Sequence, residues 1–228
     1  MKINDISLFR NMLPEEVDEA LKILAARECK YSKDELILHS GDSTERLGVL
    51  LEGCVTIESN DIWGSRTILS QIGPGHVFAE AYAIIPEQSM LVDVVANEDS
   101  RVLFLEIGHL LQESIGVRSG VESTRVEATS GWRDKFMRNL VFILAHKNFH
   151  LASRNFHTAP RSVRQRIMSY LNSVAIERGK SSFDIPYNRQ ELADYLNLDR
   201  TALSKELGRM RDEGLLKFKK NRFTLLQL

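Results

Sequence analysis

Arg200, Thr201, Ser204 and Lys205 fall at the three- and four-residue steps that bring side chains onto one face of a helix. That face would carry a guanidinium, an ammonium and two hydroxyls, and Arg209 extends it. Such donors suit the edges of DNA bases in the major groove, where Arg and Lys donate to guanine O6 and N7. The other face of the same stretch, Leu203, Leu207 and Met210 at i, i+4 and i+7, is apolar and has to be buried. A second basic group, Lys219-Lys220-Asn221-Arg222, lies downstream between two alternating stretches, Leu216-Lys217-Phe218 and Phe223-Thr224-Leu225.

These residues need elements to hold them, and the local signals supply a set. Asp199 caps a helix over 200–213, which Gly214 stops. Asn188-Arg189-Gln190-Glu191 is a capping box opening a shorter helix over 189–196. Between the two, Asn197 suits the left-handed corner of a tight helix-to-helix turn, with Leu198 plugging it. Pro160 opens a third helix, with Val163, Ile167, Tyr170, Leu171 and Val174 as its apolar face and Gly179 as its stop. Ser181–Tyr187 reads as a short strand and residues 216–225 as a basic hairpin. Helix, turn, helix and basic wing together form a DNA-binding arrangement.

Upstream the text changes character. Residues 31–106 are short apolar runs punctuated by Gly41-Asp42, Gly53, Asn60-Asp61 and Gly73-Pro74-Gly75, the pattern of an antiparallel β-barrel or sandwich. Val17, Ala20, Leu21 and Leu24 give Pro14–Ala26 the spacing of a short amphipathic helix, and Ser114–Gly131 reads as an irregular connector. Trp132–Ala152 predicts a long helix with two apolar stripes. Trp132, Phe136, Leu140 and Ile143 form one, and Met137, Val141 and Leu144 the other. Two such faces need two covers: the β-domain and a partner chain, or the interior of a monomer.

The chain has 228 residues, 27% charged and 43% hydrophobic, with a net charge of -1. That total hides a net of -8 over residues 1–152 and +7 over 153–228, and the basic part is the size of a DNA-binding module. Neither a signal-peptide core nor a membrane-length apolar run is present, so a cytoplasmic protein is expected, without a membrane partner. Cys29 and Cys54 are isolated and make neither a disulfide framework nor a metal knuckle, and they read as small core or surface residues rather than a redox pair. His76 and Glu80 are half of a cupin-type metal motif, but Phe78 stands where HxH would need its second histidine. His146 and His150, at i and i+4 with His157 near, are either surface histidines or a metal- or proton-sensing pair. No metal and no cofactor is expected.

The runs Asn188–Leu196, Asp199–Leu207 and Met210–Leu215 strongly resemble the winged helix of the Crp/Fnr superfamily of bacterial transcription factors. Gly41, Gly53-Cys54-Val55, Gly75 and Phe78-Ala79-Glu80 follow the spacing of its cyclic-nucleotide-binding-type β-roll. The resemblance implies an α+β chain: a β-roll sensor over 1–129 (a double-stranded jelly roll, cupin-like), a dimerisation helix and hinge over 130–155, and a winged helix-turn-helix over 156–228. It also implies a homodimer joined by the helix carrying Trp132, Phe136, Leu140 and Ile143, a two-fold operator in double-stranded DNA, and RNA polymerase as a partner, as for the family's activators.

Carried over by position, Arg200, Thr201, Ser204 and Lys205 match the family's base-reading residues. Asn188, Arg189, Gln190, Lys219 and Asn221 match its phosphate contacts, which position without reading sequence. The common family pattern has Glu where Thr201 stands and Arg where Lys205 stands, so a different operator is expected. In the effector pocket, marked by Glu80, Met90 and Leu91, the family's Gly is Ala79 and its phosphate-pairing Arg is Met90. An unpaired cyclic phosphate would be costly to desolvate there, which argues against cyclic AMP and for a less charged small molecule or none. An iron–sulfur sensor needs four thiolates and the chain has two cysteines. The expected function is a sequence-specific DNA-binding regulator with a small-molecule effector. The alternatives are a constitutive regulator with a vestigial pocket or a cupin-like metalloenzyme.

Overall fold

Pro14 sets the first turn of helix α1 (Pro14–Ile23), and Glu16 reaches back to accept the Leu13 N–H at 2.7 Å. Its inner face, Val17 and Ala20 followed by Leu24, is buried as the spacing predicts. The computed structural model describes residues 3–60, 66–85, 87–108, 110 and 131–226. The connector expected over 114–131 lies outside them except for Gly131, as does Asp61 of the expected Asn60-Asp61 turn. The chain divides into two units, Met1–Ile143 and Leu144–Leu228.

In the first unit, eight described strands follow α1: β1 (Arg27–Tyr31), β2 (Leu36–Leu38), β3 (Arg46–Glu52), β4 (Val55–Asn60), β5 (Arg66–Ile72), β6 (Val77–Phe78), β7 (Asp93–Ala96) and β8 (Ser100–Glu106). They form two antiparallel sheets in the orders β1-β8-β3-β6 and β2-β7-β4-β5. Leu50, Val55, Phe78, Val94, Val102 and Phe104 belong to the buried cluster of this sandwich. The five residues Leu47–Leu51 are all buried, so β3 is covered on both faces. Gly48 is required there: it pairs with Phe78, and a Cβ would stand 2.2 Å from the Phe78 ring.

The short helix α2 (Glu80–Ile84) follows β6, and Ala79 before it adopts φ +59°. Helix α3 (Gly131–Thr158) runs further than the 132–152 predicted and continues across the boundary between the two units. The sequence left open which of its two apolar stripes packs on the β-domain. Trp132, Phe136 and Leu140 are buried within their own unit, where Phe136 packs on Phe9 at 6.1 Å between ring centroids. Polar contacts fix the same face: Asn139 Nδ2 donates to the Leu8 and Arg10 carbonyls at 3.0 and 2.8 Å, and Lys135 Nζ meets Glu16 at 2.7 Å. Ile143 is half-buried.

In the second unit, α4 (Val163–Arg178) starts three residues later than Pro160 suggested. Ser162 supplies the cap, its Oγ accepting the Gln165 N–H at 3.1 Å, and Gly179 ends the helix at φ +60°. Strand β9 (Ser182–Asp184), helices α5 (Arg189–Tyr195) and α6 (Arg200–Asp212), and strands β10 (Leu216–Lys219) and β11 (Arg222–Leu225) complete it. The sheet order is β10-β11-β9. Phe223 lies in register with both Phe183 and Phe218 and is buried with Leu192, Leu203, Leu207 and Leu216 in one core.

Candidate nucleic-acid interface

The positioning of α6 begins one helix earlier. Asn188 Oδ1 accepts the Gln190 and Glu191 N–H groups at 2.9 and 3.0 Å, while Glu191 accepts the Asn188 N–H at 2.7 Å, closing the capping box. The chain turns at Asn197 with φ +51°. Asp199 Oδ1 then accepts the Ala202 N–H at 2.9 Å and starts α6. Leu203, Leu207 and Met210 are wholly buried, which turns the opposite face outward. Arg200, Thr201, Ser204 and Lys205 are all exposed together at the first turns of α6.

One contact that holds α6 escaped the sequence reading. Arg164 of α4 meets Glu206 at 2.6 Å and forks onto Glu213 at 2.7 and 2.8 Å. The two carboxylates push the guanidinium pKa up, and Arg164 holds the Glu213 carboxyl below its ordinary range. The arginine thus ties α4 to the middle and the end of α6. Its partners are 42 and 49 residues away, beyond any local motif.

The expected phosphate-contact residues divide in two. Asn188, Gln190 and Lys219 are exposed, although Gln190 Nε2 also donates to Asp194 at 2.9 Å. Arg189 and Asn221 are half-buried. The Arg189 guanidinium lies 5.1 Å from the Phe218 ring centroid and 5.6 Å from that of Phe223, and burial lowers its pKa. It joins α5 to the wing. The Asn221 carbonyl accepts the Ile185 N–H at 2.9 Å, anchoring the wing turn.

The expected effector residues are not gathered in one described cavity. Glu80 is buried at the start of α2, Met90 is buried in the sandwich core, and Leu91 is 72% exposed. Met90 borders a cavity of about 420 Å³ with Arg27, Cys29, Tyr31, Arg46 and Phe104, while Glu80 and Leu91 do not. Burial raises the Tyr31 pKa there. Cys54 is half-buried, and its carbonyl accepts the Ser100 hydroxyl at 3.3 Å. His76 is exposed, its Nδ1 3.2 Å from the Gly73 carbonyl. His146 and His150 are exposed with ring centroids 5.8 Å apart, whereas His157 is buried. Among the described residues no three metal-ligating side chains are grouped, and no helix is long and apolar enough to cross a membrane.

Comparison with known proteins agrees with this architecture. Residues 28–113 match the cyclic nucleotide-binding domain family, and residues 165–228 match the Crp-like helix-turn-helix domain family. No curated protein matches the chain. Among solved structures, CprK complexed with OCPA is 13% identical with a TM-score of 0.60, covering 93% of this chain and 92% of that one. The c-di-GMP-responsive global regulator CLP of Xanthomonas campestris is 16% identical with a TM-score of 0.51, covering 94% of this chain and 99% of its own. The catabolite activator protein of Thermus thermophilus is 22% identical with a TM-score of 0.47, over 96% of this chain and 93% of that one.

A cyclic-nucleotide-binding-type β-sandwich followed by a winged helix-turn-helix defines a DNA-binding transcription regulator, not an enzyme. The chain belongs to the Crp/Fnr superfamily.

Proposed function

We propose that this regulator binds a two-fold operator as a homodimer and reads its bases with Arg200, Thr201, Ser204 and Lys205. The observation that carries the reading is the first turns of α6: four hydrogen-bonding side chains are exposed above a fully buried apolar seam. Asn188, Gln190 and Lys219 contact phosphates, and half-sites lie about one helical turn apart, near 34 Å. Arg189 and Asn221 support the first helix and wing and add phosphate contacts where they reach the surface. Thr201 brings no carboxylate to accept from cytosine, so the operator differs from the one common in the family.

The dimer contact lies on the outer face of α3. Phe142, Phe149 and Phe156 repeat every seven residues and are 64%, 69% and 67% exposed, with exposed Ala145 and Ala152 three residues after the first two. This is a heptad seam of large and small residues. Such a dimer works in the cytoplasm and acts on transcription through RNA polymerase.

A small effector held by the β-sandwich would bias the dimer, and cyclic AMP does not suit it, because Met90 offers no charge to a phosphate. A second reading, a constitutive regulator, is favoured by one observation: Met90 is 2% exposed and packed in one core with Phe78 and Phe104. A ligand-dependent thermal-shift screen separates the two, since only a bound effector raises the melting temperature.

The test of DNA binding is a salt titration of affinity on promoter DNA of the protein's own operon. Arg200→Ala and Lys205→Ala should each cost about 1–3 kcal/mol and relax sequence preference, while Lys219→Ala should weaken all sequences alike and shallow the salt slope by about one unit. A flat salt response, or no effect of the α6 substitutions, would refute the proposal.

A further inference from the structure

The corner of the helix-turn-helix is held from outside by α3. A helix leaves its last carbonyls without intrahelical partners, and α5 is short enough for these to be a large share of its backbone. Arg154, near the end of α3, covers them. Its Nε donates to the Tyr195 carbonyl at 3.1 Å, and its Nη2 donates to the Asp194 carbonyl at 3.0 Å and to the Asn197 side-chain oxygen at 3.1 Å. Arg166 of α4 covers the next two, its Nη1 donating to the Leu196 and Asn197 carbonyls at 3.2 and 3.0 Å. A cation at a helix C-terminus is also favoured by the helix dipole.

One turn beyond Arg154, His157 fastens the same place from the side. Its Nδ1 lies 2.9 Å from the Tyr195 hydroxyl and its Nε2 lies 2.8 Å from Ser173 Oγ. Ser173 spends its own proton on the Tyr170 carbonyl at 2.8 Å, so it accepts from His157 Nε2–H, and the Tyr195 hydroxyl donates to Nδ1. The imidazole is 5% exposed, and its ring centroid is 5.5 and 5.8 Å from those of Tyr170 and Tyr195. Every polar atom of this buried ring is used in one direction, which fixes the rotation of α3 against α5.

We propose that Arg154 and His157 are positioning residues for DNA recognition: the last two turns of α3 grip the corner whose geometry aims α6. Asn197, the residue with the left-handed backbone, is held through both its side-chain oxygen and its carbonyl. The direction of α6 is set within two residues of it, at the Asp199 cap. The guanidinium of Arg154 is turned to protein acceptors rather than offered to a phosphate. The inference rests on α6 being the reading helix, and the experiment checks that separately.

Affinity is measured by fluorescence anisotropy for two duplexes: one selected from a random library by the wild-type chain, and a scrambled duplex of equal length. The full-length proteins are wild type, Arg154→Ala, Arg154→Lys, Tyr195→Phe and, as the control for α6, Arg200→Ala. Tyr195→Phe removes only the hydroxyl that serves His157 and keeps the ring packing, so it folds even where an arginine variant does not. Arg154→Ala should weaken the selected duplex about tenfold or more, with scrambled-duplex affinity and salt slope unchanged. Arg154→Lys should not rescue it, because one ammonium cannot reproduce the planar fork. Tyr195→Phe should show the same selective loss at smaller size. The proposal is overturned if both duplexes weaken together with a shallower salt slope, since Arg154 then touches phosphate. It is equally overturned if the variants lower the melting temperature while the preference for the selected duplex stays intact. Failure of Arg200→Ala to change that preference refutes the reading of α6 instead.

Discussion

Replacing Phe149 by Ala should break the dimer without unfolding the protomer. A phenylalanine buries about 150–250 Å² when fully covered. Phe149 is 69% exposed in the protomer, so a partner has roughly 100–170 Å² of it left to cover. At about 25 cal/mol per Å² that is about 2.5–4 kcal/mol per side chain, and two-fold symmetry counts it twice. Even with half of that area covered in the dimer and the alanine methyl retained, the loss is about 2–3 kcal/mol, or roughly thirty- to a hundredfold in dissociation constant. Sedimentation velocity over a dilution series measures it, with circular dichroism to show that the helices remain. Leu151 is the control, being equally exposed at 64% but two residues on and so about 200° round the helix. Leu151→Ala should leave the dimer intact. A change below tenfold for Phe149→Ala, or an equal one for Leu151→Ala, would refute the heptad seam and return the contact to another face.

Two further outcomes follow from the buried interior. Burial holds the His157 pKa below its ordinary 6.5, so the unfolded chain takes up the proton first as pH falls. Its contribution to stability is complete above about pH 6.5 and is lost as pH drops from there toward the folded value. Urea midpoints between pH 7 and pH 5.5 should therefore decline, and His157→Asn should flatten that decline. The lowered carboxyls of Glu16, Glu52 and Glu213 act only near and below their ordinary 4.5, outside this window. Ala79 sits at φ +59°, which costs an L-residue about 1–2 kcal/mol, so Ala79→Gly should raise thermal stability by roughly 1 kcal/mol; a fall in melting temperature would show that the methyl packs usefully there.

The parts of this molecule that were legible in the sequence are those written within a few residues of one another. The Asp199 cap, the left-handed Asn197, the capping box at Asn188 and the buried seam of α6 each depend on neighbours inside one or two turns, and each was readable. Contacts between distant elements were not. The hold of Arg154 on residues 194–197 and of Arg164 on Glu206 and Glu213 joins side chains some 40 residues apart, and a single arginine carries no sign of its partner. The orientation of α3 was left open for a related reason. Both of its faces are apolar, and periodicity ranks neither, whereas Asn139 and Lys135 decide it by hydrogen bonding inward. Met90 and Leu91 are adjacent and both apolar, yet one is buried and the other open, because a sequence does not state which way a turn residue points.

The grip of Arg164 on both the middle and the end of α6 has a consequence for substitution. Along its length, the described contacts that keep this helix in place lie on its inner side, at Leu203, Leu207, Met210, Glu206 and the Glu213 beyond its end. The outward positions 200, 201, 204 and 205 carry none of that load. On the proposed reading, these four positions can be exchanged one at a time without unfolding the domain, so the preferred DNA sequence and the stability of the helix are separable properties, carried by opposite faces of α6.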